Sequence, residues 1–159
     1  NILAINPNIK FLFTVSPIRH VKDGLHENQL SKSTLLLAID ELQKTFSKNV
    51  FYFPSYEIVM DELRDYRFYT DDMLHVSDMA IRYIWERFSE KFFSIETKNA
   101  LKEYESIHRD INHKPFYPGS EEHKRFLEQI VLKINQLQRK YPNFDVEKEL
   151  QICLTRLKK

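Results

Sequence analysis

The chain is poor in the residues that build crosslinked or flexible proteins. Its one cysteine, Cys153, excludes an internal disulfide and any cysteine-based metal cluster, and is compatible with a reducing compartment such as the cytoplasm. Only two glycines and six prolines occur in 159 residues, which argues against a linker or a low-complexity chain. We therefore expect one domain, or part of one.

The chain also lacks an excess of charge and a long apolar run. Lys and Arg number 24 and Asp and Glu 23, so no global field would recruit DNA or an anionic membrane. No apolar run approaches the roughly 20 residues of a membrane span. No signal peptide is visible, but the chain starts at Asn1 rather than Met, so a signal upstream would not be observable. We expect a soluble protein that binds no nucleic acid, and its compartment and oligomeric state stay open.

What the chain does have is a strand–helix–strand pattern. Ile9–Val15 is almost continuously apolar and rich in β-formers, which is typical of a strand buried on both faces of a parallel sheet. Apolar residues at helical spacing predict a helix over Asn28–Phe46, with Asn28 as its N-cap. Val50–Phe53 predicts a second strand that Pro54 stops. This order predicts a βαβ unit with parallel strands.

The remaining chain is helical by its pattern. Tyr56–Leu63 is expected to form a short helix, and Ser77 to cap a helix that ends near Lys91. After Phe93 the strand signals cease, and breaks at prolines separate three predicted helices: Thr97–Asn112, Ser120–Tyr141 and Asp145–Leu157. We interpret them as an appendage, an αα-hairpin packed on itself or on the α/β part, with Cys153 as a core residue.

Two strands do not make a stable parallel sheet. A strand with two apolar faces needs neighbouring strands at both edges and helices on both faces. We therefore expect the first part of the sheet to lie upstream of Asn1. The predicted domains are residues 1–95, the C-terminal half of an α/β domain, and residues 96–159, the helical appendage.

Asp72 and His75 are the candidate catalytic pair. A carboxylate three residues before an imidazole can hold one ring nitrogen while the other is free to take a proton. The alternative is a surface aspartate followed by a histidine near a helix start. The pair follows a strand, lies in an aromatic and charge-rich loop and precedes a capped helix, which favours the catalytic interpretation.

Five further residues follow the predicted strands, where α/β proteins form their ligand crevice. They are predicted to bind substrate: Ser16, Arg19, His20, Tyr56 and Glu57. Ser16 has no Gly-x-Ser-x-Gly elbow, so a turn-capping or pocket hydroxyl is favoured over a nucleophile. Nearby charged residues are expected to form structural ion pairs: Asp61, Arg64 and Arg67.

Several segments together resemble one known family. They are FTVSPIRH (Phe13–His20), ENQLSK (Glu27–Lys32), YFPSYE (Tyr52–Glu57), DELRDYRFY (Asp61–Tyr69) and DMLHVS (Asp72–Ser77). In this order they resemble the C-terminal half of the GSCFA family, which is grouped with the SGNH (GDSL-type) hydrolases. The resemblance covers Asn1 to about Phe93.

The resemblance implies a three-layer flavodoxin-like sandwich that hydrolyses acyl esters. In such enzymes a serine near the first strand attacks, and a late Asp-x-x-His supplies the other two triad members, to which Asp72 and His75 correspond. The Gly-Ser-Cys-Phe-Ala signature and the oxyanion-hole segments are absent from this sequence and would lie upstream. Val76 stands where such hydrolases often have proline.

Two functions of different classes follow from these patterns. The first is a serine esterase or acyl hydrolase that acts on a small-molecule, carbohydrate or lipid ester and needs no cofactor. The second is a binding module on a hydrolase-like frame, which predicts an exposed apolar patch on Ser120–Tyr141. A metal site is not expected from the histidines of the tail, which do not share one helical face: His108, His113 and His123.

Overall fold

The computed structural model describes residues 2–158, which cluster into two compact units. The N-terminal unit ends at Lys91 and the helical unit begins at Phe92. The helices of the N-terminal unit are α1 (Ile2–Ile5), α2 (Gly24–Thr45), α3 (Ser55–Glu57) and α4 (Asp78–Phe92). No helix within residues 2–158 is both long enough and apolar enough to span a membrane.

The described strands form one small parallel sheet. β1 (Phe11–Phe13) pairs with β2 (Val50–Tyr52) in the register Phe11↔Val50 to Phe13↔Tyr52. The Phe53 N–H extends this pairing by donating to the Phe13 carbonyl at 2.8 Å. The predicted parallel strand–helix–strand order is therefore confirmed.

β1 is shorter and more exposed than the run Ile9–Val15 predicted. One face of the sheet packs on α2 through a cluster of Val15, Ile39 and Tyr56. On the other face, Leu12 and Phe51 each retain 41% exposure. The prediction of a strand buried on both faces is wrong for the described residues, because an apolar run shows that both faces can be buried but not what covers them.

α2 begins earlier than its apolar spacing predicted. A 3₁₀ turn at Val21–Asp23 leads into Gly24, and Leu25 on the first helical turn is 85% exposed, so apolar periodicity cannot detect this start. The prediction of Asn28 as N-cap is wrong. Its side-chain oxygen accepts the backbone N–H of His20 at 2.9 Å and so ties the preceding loop to the helix.

The two predicted helices after β2 are both present. α3 continues without a break as a π-helical turn over Ile58–Glu62, where the Leu63 N–H donates to the Ile58 carbonyl at 3.0 Å. At the start of α4, the Ser77 hydroxyl oxygen accepts the Ala80 N–H at 3.4 Å. Ser77 therefore caps this helix, as predicted.

The helical unit has a core of its own. Its helices are α5 (Ile95–Asn112), α6 (Glu121–Lys140) and α7 (Glu147–Leu157), close to the three predicted bounds. Ser94 and Ser120 cap α5 and α6 by accepting backbone N–H groups three residues later. All three helices contribute to one buried cluster: Ile107, Ile111, Leu127, Ile130, Ile134, Leu137, Val146 and Cys153. Burial raises the pKa of the Cys153 thiol, as expected for a core cysteine.

Candidate active site

A short closed loop holds Asp72 and His75. Its ends, Tyr69 and Val76, form an antiparallel bridge. Inside the bridge, the Thr70 N–H donates to the His75 carbonyl at 2.9 Å. Backbone hydrogen bonds thus define the shape of the loop on both sides of the pair.

Asp72 uses its two carboxylate oxygens differently. Oδ1 accepts the Thr70 hydroxyl at 2.6 Å and the backbone N–H groups of Leu74 and His75 at 2.9 and 3.0 Å. Oδ2 lies 2.6 Å from His75 Nδ1. These donors, the Thr70 hydroxyl first, hold the pKa of Asp72 well below its usual range, because each of them favours the charged carboxylate.

The imidazole of His75 is accessible. Its side chain is 58% exposed and that of Asp72 is 45% exposed. With Nδ1 bound to the carboxylate, the favoured tautomer keeps the proton on Nδ1 and leaves a lone pair on Nε2. Within residues 2–158, Nε2 has no hydrogen-bond partner. The pair therefore consists of an imidazole that a carboxylate holds at Nδ1 and whose side chain is more than half exposed.

Arg19 joins the loop after β1 to the loop between Tyr69 and Val76. This second loop holds the Asp72–His75 dyad and is called the dyad loop below. Its Nη1 donates to the Met73 carbonyl at 3.1 Å, and its backbone N–H donates to the Leu74 carbonyl at 3.4 Å. Its guanidinium also lies over the ring of Tyr69, 4.3 Å from the centroid. Met73 has a φ of 60°, which methionine rarely adopts, so the loop is strained between the two members of the dyad.

Ser16 and His20 lie in the same loop as Arg19 and are exposed. The Ser16 hydroxyl oxygen accepts the Ile18 N–H at 3.3 Å, which is the turn-capping role favoured by the sequence. The Asn28 side-chain oxygen accepts the backbone N–H of His20, and the His20 side chain is exposed.

Tyr56 and Glu57 have partners within the N-terminal unit. The buried Tyr56 donates its hydroxyl to Gln29 Oε1 at 2.9 Å. Glu57 accepts the Tyr52 hydroxyl at 2.8 and 3.0 Å, and burial together with this carboxylate raises the pKa of Tyr52. These contacts provide a structural account of both residues, and their assignment to substrate binding stays a prediction.

The ion pairs expected nearby are formed. Arg64 contacts Asp61 at 3.2 Å, and Arg67 lies 3.8 Å from Asp65. Asp65 also accepts the Arg67 N–H and so caps the 3₁₀ turn Tyr66–Phe68. All four side chains are well exposed, so these pairs contribute little stability.

An apolar groove of about 550 Å³ runs beside the dyad loop. It lies between the exposed sheet face and α4, and Val76, the residue after His75, is part of its wall. Its principal apolar walls come from Leu12, Ile81, Ile84, Trp85 and Phe88. The hydroxyls of Thr14 and Ser55 hydrogen-bond to each other, and Ser55 also donates to the Val15 carbonyl at 2.8 Å. The groove thus offers apolar contact at Val76, one residue after His75 in sequence.

Within residues 92–158, the helical unit shows neither an exposed apolar stripe on α6 nor a metal site. The predicted stripe of α6 has its centre buried, with Leu127, Ile130 and Leu137 each at 1% exposure. The rings of His113 and His123 both lie near Phe126, at 5.9 and 6.5 Å between centroids. Within residues 2–158, no group of three or more His, Cys, Asp or Glu side chains is placed to hold a metal ion.

Sequence reasoning missed Thr70 and the contact that Arg19, which was predicted to bind substrate, makes with Met73. Thr70 supplies the shortest hydrogen bond to Asp72 Oδ1, and its position two residues before an aspartate in a turn is a signal that could have indicated it. The contact of Arg19 with Met73 spans 54 residues of sequence, and no local pattern announces it.

Two protein-family models match the chain. Residues 1–88, more than half of the chain, match the GSCFA family, and residues 104–159 match the GSCFA domain protein, C-terminal domain. The chain therefore belongs to the GSCFA family. No curated protein and no solved structure matches it significantly.

Proposed function

We propose that the protein is a serine-dependent acyl-ester hydrolase of the SGNH type, in which His75 is the general base and Asp72 orients it. The observation that supports this most directly is the 2.6 Å contact between Asp72 Oδ2 and His75 Nδ1, with the imidazole accessible to solvent. Asp72 is itself held by Thr70 and by two backbone N–H groups, so the ring has a fixed support. Membership of the GSCFA family is consistent with this proposal.

The pair would act in two proton transfers. When a serine hydroxyl attacks the ester carbonyl, Nε2 of His75 takes the hydroxyl proton and the ring becomes an imidazolium. Asp72 stabilises that cation through Nδ1–H without itself becoming protonated. The imidazolium then returns the proton to the departing alkoxide, and water repeats the sequence to release the acid and regenerate the serine.

The attacking serine is proposed to come from sequence upstream of Asn1. Ser77, two residues after His75, caps α4, and Ser16, in the same loop as Arg19, caps its own turn. The oxyanion-hole donors would come from the same upstream part. Residues 1–95 would then be the C-terminal half of a three-layer flavodoxin-like sandwich, and residues 96–159 its helical appendage.

The free edge of β1 supports this completion of the sheet. In a parallel pair, alternate residues direct their peptide groups toward the partner strand. Phe11 and Phe13 bond toward β2, so the peptide groups of Leu12 face the opposite edge. An apolar strand with a free edge is a position at which another strand can pair. The 41% exposure of Leu12 and Phe51 leaves apolar surface for that neighbour to cover.

The alternative of a binding module receives less support. It required an exposed apolar patch on Ser120–Tyr141, whereas Leu127, Ile130, Ile134 and Leu137 are buried inside the helical unit. The stripe of α6 is used to hold α5 and α7 and is not available to a partner. Ester hydrolysis is therefore the function we propose.

The first test is hydrolysis of p-nitrophenyl esters by the full-length protein. His75→Ala should lower kcat at least about 10³-fold, since the base and the triad geometry are both lost. The matched control is His108→Ala, an exposed histidine on α5 that should leave kcat unchanged. Circular dichroism of both variants shows whether each is folded. Unchanged turnover in folded His75→Ala contradicts the proposal.

A further inference from the structure

We propose that Arg19 is a positioning residue that holds His75 in its productive orientation, and does so through the carbonyl of Met73. This inference rests on the proposed function, since it concerns the geometry of the same dyad. It differs from the sequence-based prediction, in which Arg19 contacts substrate. The guanidinium is already engaged by the dyad loop on two sides.

Arg19 contacts both the beginning and the tip of the dyad loop. The guanidinium stacks over Tyr69, where the loop begins, and donates to Met73, the residue at its strained tip. The backbone N–H of Arg19 adds a third contact, to the Leu74 carbonyl. A planar guanidinium can stack on a ring and donate in its own plane at the same time, which an ammonium group cannot do.

The strain at Met73 explains why such a contact is needed. A left-handed φ of 60° costs free energy for any residue with a Cβ, so other contacts must stabilise this conformation. The next two residues, Leu74 and His75, donate their N–H groups to Asp72 Oδ1. If Met73 relaxes, these N–H groups turn away from Asp72 and the imidazole moves with them.

Other contacts would keep the loop closed without Arg19. The Tyr69–Val76 bridge and the hydrogen bond from Thr70 N–H to the His75 carbonyl do not involve the guanidinium. Loss of the side chain should therefore misplace the imidazole and not unfold the loop. A misplacement of about 1 Å can reduce a rate by about 10²-fold.

The kinetic test compares Arg19 variants in the full-length protein with p-nitrophenyl esters as substrate. Arg19→Ala should lower kcat by about 10²-fold with KM unchanged, and Arg19→Lys should give an intermediate kcat. Tyr69→Phe, which keeps the ring, should behave as the wild type. Arg64→Ala is the matched control, because Arg64 is an exposed arginine of the same unit that contacts Asp61 and not the dyad loop.

A second measurement makes the result independent of catalysis. Amide hydrogen exchange at Leu74 and His75 should be faster in Arg19→Ala and unchanged in Arg64→Ala. If KM rises while kcat is retained, Arg19 contacts substrate and the inference is wrong. If Arg19→Ala leaves hydrogen exchange at these two amides unchanged, the inference is wrong, regardless of the values of kcat and KM. If no form hydrolyses esters, the proposed function fails, while the exchange rates still decide the role of Arg19.

Discussion

Asp72 has two tasks that are divided between its oxygens. Oδ1 collects three donors from its own loop, and Oδ2 contacts the imidazole. Because Oδ1 is saturated, the carboxylate cannot rotate freely, and the direction of Oδ2 is set by the loop backbone. The orientation of His75 is therefore a consequence of how residues 70–75 fold, as well as of the ion pair itself.

The contribution of Thr70 to holding the Asp72 carboxylate can be tested by measuring the pKa of Asp72. The folded-state pKa of Asp72 is lowered, so its interactions are present above the pKa of the unfolded chain and are lost as pH falls through the folded-state pKa. Thr70→Val removes the first of the causes, so the pKa of Asp72 should rise and the contact with His75 should be lost at a higher pH. NMR titration of the Asp72 carboxyl carbon measures this shift.

The control for Thr70→Val is Thr34→Val, an exposed threonine on α2 whose hydroxyl donates to the Leu30 carbonyl. It should not move the pKa of Asp72. An unchanged Asp72 pKa in Thr70→Val would show that the backbone N–H groups and His75 alone stabilise the carboxylate.

Among the elements, the helices of the helical unit rest on one shared core. α6 lies between α5 and α7 in this core and contributes four fully buried side chains: Leu127, Ile130, Ile134 and Leu137. The caps at Ser94 and Ser120 define where α5 and α6 begin. Both features follow from local sequence. A serine just before a helical segment indicates an N-cap, and apolar residues at a period of 3.6 indicate the buried face of a helix.

Two leucines of α6 provide a matched pair for testing this core. Leu127 is 1% exposed and Leu132 is 52% exposed. Leu127→Ala should lower the free energy of unfolding of the helical unit by about 2–5 kcal/mol, because it removes buried methyl groups and leaves a cavity. Leu132→Ala should change it by less than about 0.5 kcal/mol. Hydrogen exchange of amides in α5–α7 under native conditions measures both values, and equal effects would contradict the buried core.

The elements that sequence did not predict have two different physical causes. The first turns of α2 are exposed and have no apolar period, so their helical state depends on residue propensity and on the preceding 3₁₀ turn. The left-handed conformation of Met73 and the hydrogen bond that it accepts from Arg19 depend on contacts between distant segments. Patterns in sequence report local periodicity and caps, and they contain no information on which loops meet.

At the scale of the whole molecule, the contact within the dyad is predictable from sequence because its two residues are close neighbours in the chain. The complete triad is not predictable in this way, because its proposed serine is distant in sequence. Asp72 and His75 lie three residues apart, so one loop is enough to bring them together. The proposed serine would belong to a different part of the fold and would meet Nε2 only in the complete sheet. An additional strand beside β1 would cover the free edge of β1 and the exposed side chain of Leu12.

The most direct test of this account is covalent labelling of the full-length protein with a fluorophosphonate, which reacts with serines that a base has activated. We predict stoichiometric labelling of one serine upstream of Asn1 in the wild type. Labelling should be lost in His75→Ala and retained in His108→Ala. Absence of label on the folded wild-type protein, or a label that persists when His75 is replaced, would contradict the proposal that His75 is the base of a serine hydrolase.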